Sequence, residues 1–139
     1  MGRGGYPPTG SVPSVLRCLV MIAVIKVRLF TAGLGPTLRW IRRHEARAQA
    51  TALGPSAFIP ACEYAVAMAA AFYPGRALCL ERSLTLFYFA RLAGVPVTYH
   101  HGVQPLPFAA HAWVEYDGHV INDTDEHVIT YRRLPQVCP

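Results

Sequence analysis

The chain has 139 residues, 53% of them hydrophobic, and is long enough for one domain with a sizeable core. Its net charge of +5 is uneven, because residues 1–50 hold eight basic residues and one acidic, and residues 51–139 hold five and seven. The basic half lacks the interleaved aromatic residues of a stacking platform, so we expect no nucleic-acid partner. The four scattered cysteines form no Cys-x-x-Cys pair, which argues against a zinc ribbon and favours reduced thiols in a cytoplasmic protein.

The N-terminal segment divides into an arm and an apolar run. Residues 1–13 are rich in glycine and proline and are predicted to be a disordered arm, with one domain over residues 14–139. Val15 to Phe30 is interrupted by cations, so its apolar stretch falls short of the ~20 residues that span a bilayer. No signal-peptide cleavage site follows it. We expect a buried or partner-docked helix, with membrane association possible but not expected.

Two further helices are predicted between this run and Cys79. Thr37 to Ala50 forms a helix with a basic face, which is either solvated or docked on an acidic partner. Pro60 starts an alanine-rich helix from Ala61 to Phe72. Residues 14–75 are thus expected to be N-terminal helices that cover a catalytic core of residues 76–139.

The helix from Cys79 to Ala93 is predicted to be central, because apolar residues cover most of its circumference. Gly94 suits the left-handed residue that ends such a helix. Cys79 lies at the N-terminus, where unpaired backbone N–H groups and the helix dipole favour a thiolate.

The residues after this helix are predicted to form a small antiparallel sheet. Val95 to Gln104 is one strand, and a hairpin follows around Asp117-Gly118. After an acidic loop from Thr124 to Glu126, Val128 to Tyr131 is expected to be a last short strand. The fold class is therefore α+β, a central helix carrying Cys79 packed on this sheet.

The length of the hairpin loop decides which residues share a face of the sheet. With a two-residue loop, His111 would lie opposite Thr124, and Asp123 would face the other side. A three-residue loop from Tyr116 to Gly118 instead pairs His111 with Asp123, and Gly118 suits its left-handed third position. We therefore predict the three-residue loop.

Cys79, His111 and Asp123 have the residue types of a nucleophile, a general base and its orienting carboxylate. In that arrangement Cys79 attacks a carbonyl, His111 passes the proton and Asp123 fixes the imidazole tautomer. Backbone N–H groups at the helix start would stabilise the oxyanion. The spacing alone favours structural roles for all three. No cofactor or metal is predicted, since His100 and His101 share no ligand spacing with His111.

Two more residues are candidates for substrate-binding or supporting roles. Arg82 lies one turn after Cys79, where it supports the thiolate, contacts the substrate or forms a structural pair with Glu115 or Asp125. Trp113 shares the face of His111 in the predicted register. It shields the site, lines a peptide groove or packs in the core.

Four groups of residues together carry a family resemblance. They are Cys79-Leu-x-Arg-Ser-Leu, Gly102-Val, Pro107-Phe108-x-Ala-His111-Ala-Trp113-Val-Glu115, and Asp117-Gly118 to Asn122-Asp123. This set resembles the transglutaminase-like leader peptidase of bacterial lasso-peptide biosynthesis, and the separations of the three candidate catalytic residues lie within that family's usual range.

The resemblance implies a papain/transglutaminase-like cysteine peptidase that removes the leader from a ribosomally made lasso precursor peptide. A macrolactam-forming cyclase would then act on the product. Some members begin with a winged-helix leader-recognition domain, but residues 1–78 lack its strand-turn-strand pattern. We therefore expect a separate leader-recognition protein, for which the basic helices before Ala50 are candidate docking surfaces.

Two alternatives to the peptidase stay open on the sequence. One is a transglutaminase-like acyltransferase with the same triad, in which an amine replaces water. The other is a non-catalytic binding module of the same fold, against which the intact triad argues.

Overall fold

The computed structural model describes residues 12–44, 54–75 and 79–134. These form, in order, α1 (Val15–Ala32), α2 (Leu34–His44), α3 (Pro55–Phe72), α4 (Cys79–Leu92), β1 (Thr98–Pro105), β2 (Phe108–Tyr116), β3 (His119–Val120), α5 (Asp125–Val128) and β4 (Arg132–Arg133). The architecture is α+β, as the sequence predicts. Most of the predicted disordered arm, the predicted end of the second helix and Cys138 lie outside the described residues.

Polar caps and breakers fix the first two helices. The hydroxyl of Ser14 accepts a hydrogen bond from the backbone N–H of Arg17 at 3.2 Å and so caps α1. Gly33 ends the helix with φ of +88°, a left-handed conformation that favours glycine. Pro36 lies in the first turn of α2, where its missing N–H costs no helical hydrogen bond. Both helices extend beyond their predicted bounds, and α2 already begins at Leu34.

Helix α3 starts earlier than the sequence suggested. Pro55 occupies its first turn, and Pro60, predicted to start the helix, lies inside it. A proline there removes one N–H, so the carbonyl of Ser56 loses its helical partner. Ser56 and Pro60 are both exposed, so water can bond that carbonyl. The predicted start at Ala61 is therefore wrong.

Helix α4 is central, as predicted. It packs against α1 and α3 on one side and against β1 and β2 on the other. Its buried residues lie on most of its circumference and include Ser83, Leu84, Leu86, Phe87, Phe89 and Ala90. The helix ends at Leu92, one residue before its predicted end, and Gly94 follows with φ of +81°.

The sheet is antiparallel, with strand order β3-β2-β1-β4. Strand β1 starts at Thr98, since Pro96 keeps the preceding residues out of the ladder. The predicted strand from Val128 to Tyr131 and the predicted acidic loop before it are wrong. The Thr124 hydroxyl instead accepts a hydrogen bond from the backbone N–H of His127 and caps α5, so Val128 ends a helical turn.

The hairpin between β2 and β3 has a two-residue loop. Tyr116 pairs with His119, which leaves Asp117 and Gly118 as the loop. Their φ angles are +53° and +77°, both in the left-handed region that a two-residue hairpin of this hand requires. The three-residue loop is therefore wrong, because an aspartate tolerates the left-handed conformation as well as the glycine does.

Helix α3 is also the one described helix that is long and apolar enough to cross a membrane, by length and composition alone. Core helices of soluble proteins meet the same criterion. Phe58, Cys62 and Ala69 are fully buried against the rest of the chain, so one face of this helix packs in the core, and about a third of the helix is buried in all.

The backbone of β1 approaches its neighbours closely at Gly102. A Cβ there would lie 2.7 Å from the carbonyl oxygen of Arg132 and 3.2 Å from Cη2 of Trp113. We therefore expect Gly102→Ala to lower the free energy of unfolding by about 1–3 kcal/mol, the usual cost of overpacking. Urea denaturation would measure the loss. Gly54→Ala is the control, because its added methyl group meets open space. Its cost is limited to the preference of an N-cap for glycine over alanine, about 1 kcal/mol or less. Equal losses would refute the close approach.

Candidate active site

Cys79 and His111 line one cavity of about 250 Å³. Cys79 is the first residue of α4, and His111 lies in the middle of β2. The packing of α4 against β2 therefore brings the two candidate catalytic residues to the same space. We call this cavity the polar cavity. Its polar wall is formed by Glu63, Arg82, Ser83, Asn122, Asp123 and His127.

The predicted contact between His111 and Asp123 is confirmed. Nε2 of His111 is hydrogen-bonded to Oδ2 of Asp123. An ionised carboxylate only accepts hydrogen bonds, so the proton of this bond lies on Nε2. The neutral ring then keeps Nδ1 as its acceptor, free to take a proton from a thiol in the cavity.

Asn122 explains how this contact forms despite the two-residue loop. The backbone N–H of Ile121 still bonds to the carbonyl of Val114 at 3.0 Å. The N–H of Val114, however, donates to Oδ1 of the Asn122 side chain at 2.9 Å instead of a main-chain carbonyl. The ladder ends there and the chain bends, so the side of the sheet that Asp123 faces is no longer set by strand alternation.

Ser83 ties the bend to the central helix. Nδ2 of Asn122 donates to the Ser83 hydroxyl at 2.9 Å, and that hydroxyl donates to the carbonyl of Ala112 at 3.0 Å. Ser83 is one turn after Cys79 and Ala112 is next to His111. The two bonds therefore fix the helix that carries Cys79 and the strand that carries His111 relative to each other.

Asp123 is held by more donors than the sequence indicated. Besides His111, Nδ1 of His127 donates to Oδ2 at 2.8 Å, and the backbone N–H of Thr124 donates to Oδ1 at 2.7 Å. Burial raises the pKa of Asp123, but the hydrogen bonds from His127, Thr124 and His111 outweigh it and lower the pKa overall. Asp123 is thus an ionised carboxylate at neutral pH.

Aromatic rings surround the imidazole of His111. The ring centroids of Trp113, Tyr131 and His127 lie 5.9, 5.1 and 4.8 Å from its own. Trp113 is fully buried, so it packs behind His111 as a supporting residue rather than lining the polar cavity. Packing of this kind restricts the orientation of the histidine ring.

Glu115 fixes Trp113 from the far side. Its Oε2 accepts hydrogen bonds from Nε1 of Trp113 at 2.8 Å and from the Arg133 guanidinium at 2.6 Å. Burial raises the pKa of Glu115, but these two bonds and the charges of His100 and Arg133 lower it overall. The carboxylate is therefore paired with Arg133, and the expected alternative of a pair with Arg82 is wrong.

Arg82 is exposed and lies on the wall of the polar cavity. Its charge acts on Glu63, a residue of α3 to which the sequence gave no role. Burial raises the pKa of Glu63, and the Arg82 guanidinium opposes that effect. The mouth of the cavity therefore carries a cation and a partly buried carboxyl group.

His127 and Tyr131 were also missed from the sequence, although a signal for them was present. Thr124 followed by Asp125 and Glu126 has the pattern of a helix N-cap with acidic residues in the first turn. A helical turn places His127 one turn after Asp123, where the two side chains meet.

The other described cysteines lie in a different environment. Cys18 and Cys62 are fully buried, whereas Cys79 is partly exposed. Burial raises the pKa of Cys18 to about 11 and raises that of Cys62 further. Both therefore stay protonated and packed in the core at neutral pH.

Among the described residues, one group could reach a metal ion. Ligand atoms of His111, Asp123 and His127 all lie within 4.8 Å of one another. Hydrogen bonds from both histidines to Asp123 already give each of these side chains a partner. The three side chains therefore form a hydrogen-bonded cluster in this structure.

Comparison with protein families gives one match. The model described as the transglutaminase-like superfamily matches residues 21–136, which include Cys79, His111, Asp123 and the other residues of the polar cavity. No curated protein and no solved structure matches.

The cysteine environments predict selective alkylation. Iodoacetamide at neutral pH should modify Cys79, while Cys18 and Cys62 should react only after unfolding, because burial keeps them protonated and inaccessible. Peptide mapping by mass spectrometry after timed reaction measures this, and the same reaction in urea is the control. Comparable rates at Cys18 and Cys79 in the folded protein would contradict the assignment.

The hydrogen bonds to Asp123 predict a pH-dependent contribution to stability. Because its folded-state pKa is lowered, the contribution is complete above the unfolded pKa of about 3.9 and is lost as pH falls through the folded value. Asp123→Asn should therefore cost about 1 kcal/mol at pH 7 and progressively less below about pH 4. Urea denaturation across this range measures it.

The control for this experiment is Asp117→Asn, which makes the same charge change at an exposed loop position. It should have little effect at either pH. A loss for Asp123→Asn that stays constant down to the lowest pH would show that the carboxylate's charge plays no part.

Proposed function

The chain belongs to the transglutaminase-like superfamily, and from this membership and its site we propose that it is a cysteine peptidase that removes the leader from a ribosomally made lasso precursor peptide. The fold is consistent with a cysteine peptidase or an acyltransferase. The observation that carries the proposal is the hydrogen bond between His111 and Asp123 in the cavity that Cys79 lines.

The proposed reaction follows from the roles of these three residues. His111 takes the thiol proton at Nδ1, and the sulfur of Cys79 attacks the scissile carbonyl carbon. The backbone N–H of Cys79 stabilises the oxyanion that forms. The C–N bond then breaks, and His111 gives its proton to the leaving amine. Water, deprotonated by His111, hydrolyses the thioester and restores the thiol, while Asp123 holds Nε2–H throughout.

The leader of a lasso precursor is proposed as the substrate because of the motifs around these residues. They extend from Cys79-Leu-x-Arg-Ser-Leu through His111-Ala-Trp113 to Asn122-Asp123. Arg82, exposed beside the cavity, is proposed to contact the bound peptide. A macrolactam-forming cyclase would consume the new amino terminus, and both steps would take place in the cytoplasm.

A separate leader-recognition protein is proposed to dock on α1 and α2. Helix α1 exposes large apolar side chains at Leu16, Val20, Val27 and Phe30. Residues 12–44 carry six basic residues and no acidic residue. An apolar strip beside unbalanced positive charge fits a partner with a complementary acidic surface.

Cleavage of a precursor peptide, with the leader-recognition protein present, tests the proposed function. Cys79→Ala should reduce the rate by about a millionfold, since the nucleophile is lost. His111→Ala should cost nearly as much, and Asp123→Asn less, because the proton acceptor survives. Mass spectrometry of the products measures each rate. Cys18→Ala is the control and should retain cleavage, whereas full activity of Cys79→Ala would refute the peptidase.

Two further readings come from the same assay. A product that gains water marks hydrolysis, whereas a product that gains an added amine would identify an acyltransferase. Omitting the recognition protein should lower the rate strongly at low substrate concentration, because the partner raises the local concentration of the scissile bond. Equal rates with and without it would show that this chain binds the leader unaided.

A further inference from the structure

A second cavity meets the polar cavity at Cys79. Its volume is about 270 Å³, and it shares Cys79, His111 and Ala112 with the first. We call this second cavity the apolar groove. Its remaining walls come mostly from apolar side chains, among them Leu34, Leu80, Tyr99, Val103, Ala110 and Leu134. The reactive sulfur therefore lies where a polar space and an apolar one adjoin.

The apolar groove has the size of a side-chain pocket. An apolar cavity of about 150 Å³ already admits a benzene ring, so 270 Å³ holds a leucine or phenylalanine side chain. Pockets for whole small molecules are larger, about 300–1,000 Å³.

The sheet extends the apolar groove toward the tip of the β1–β2 hairpin. Val103 pairs with Ala110, and two positions further out Pro105 pairs with Phe108. Residues two positions apart on a strand share a face, so Phe108 continues the surface on which Ala110 lies. The Phe108 side chain is 75% exposed, which leaves an apolar surface open at the outer end of the groove.

We propose that the apolar groove binds an aliphatic or aromatic side chain of the peptide substrate, within two residues of the scissile bond. A peptide whose carbonyl carbon reaches Cys79 extends to both sides of the sulfur. One side then meets the apolar groove and the other the polar cavity with Arg82 and Glu63. Burial of the side chain from water supplies the selectivity. The assignment rests on the peptidase function proposed above.

The test is cleavage of a defined set of short unstructured peptides, chosen so that apolar, polar and charged residues occupy every position around potential cleavage sites. The protein is used at high concentration, and mass spectrometry identifies the cleaved bonds. We expect an apolar residue at one fixed position within two residues of the bond, preferred by about tenfold or more over polar ones.

Ala110→Phe fills the apolar groove from an exposed position of β2 and should abolish this preference. Leu106→Phe is the matched control, because Leu106 is exposed at the hairpin tip and should leave the preference unchanged. Alkylation of Cys79 by iodoacetamide reports separately whether the polar cavity is intact. If Cys79 is no longer alkylated in Ala110→Phe, a second variant decides the test. Val103→Phe fills the groove from the paired strand.

The outcomes separate the two proposals. Cleavage without an apolar preference, or a preference that survives filling of the groove, would overturn the apolar groove and leave the peptidase standing. If the wild-type protein cleaves none of these peptides although Cys79 is alkylated, but cleaves the precursor with its recognition protein, the groove assignment fails and the peptidase stands. If it cleaves neither, the peptidase function fails, and the groove assignment fails with it.

Discussion

The amide side chain of Asn122 is the contact on which the site depends. It accepts the hydrogen bond from Val114 that a third rung of the β2–β3 ladder would otherwise have used, and it donates to Ser83 on the central helix. A buried main-chain N–H left without an acceptor would cost about 1–3 kcal/mol, so the strand can end at this position only because the side chain replaces the carbonyl. One residue thus ends the strand, directs Asp123 toward His111 and ties the bend to the helix that carries Cys79.

The segment after Asp123 adds a second layer to the same site. His127 of α5 bonds to the carboxylate that orients His111, and the ring of Tyr131 lies against the His111 imidazole. Strand β4 then brings Arg133 to Glu115, which holds Trp113 behind His111. The imidazole is therefore fixed by hydrogen bonding at one edge and by aromatic rings around it. Side chains held in this way need little reorganisation during proton transfer.

The sequence predicted the central helix, the antiparallel sheet and the contact between His111 and Asp123, but it missed Glu63, His127 and Tyr131. The elements that were predicted have local signals. Apolar residues around the helix, Gly94 after its end and Cys79 at its start are visible in the sequence itself. The path of the chain from β3 to Asp123 is not visible in the sequence, because it depends on whether the Asn122 amide bonds to a strand or to solvent. Strand alternation with a three-residue loop predicted that His111 and Asp123 are neighbours, which is right, although the loop has two residues. The helix start at Pro60 was predicted wrongly for a similar reason, because only the fold shows that Pro60 and Ser56, whose carbonyl loses its helical partner, are both exposed.

Asp123 lies outside any ladder, and this has a consequence for how the site is built. A strand residue takes its direction from main-chain hydrogen bonds, which are shared along the whole sheet. Asp123 instead takes its direction from Asn122 before it and from the N-cap of α5 after it. The only residue of α5 that is buried is Val128, so this short helix has a single apolar anchor. The orientation of His111 therefore depends on a few side-chain contacts of the C-terminal segment, while Cys79 is fixed by α4, the most extensively packed of the described helices.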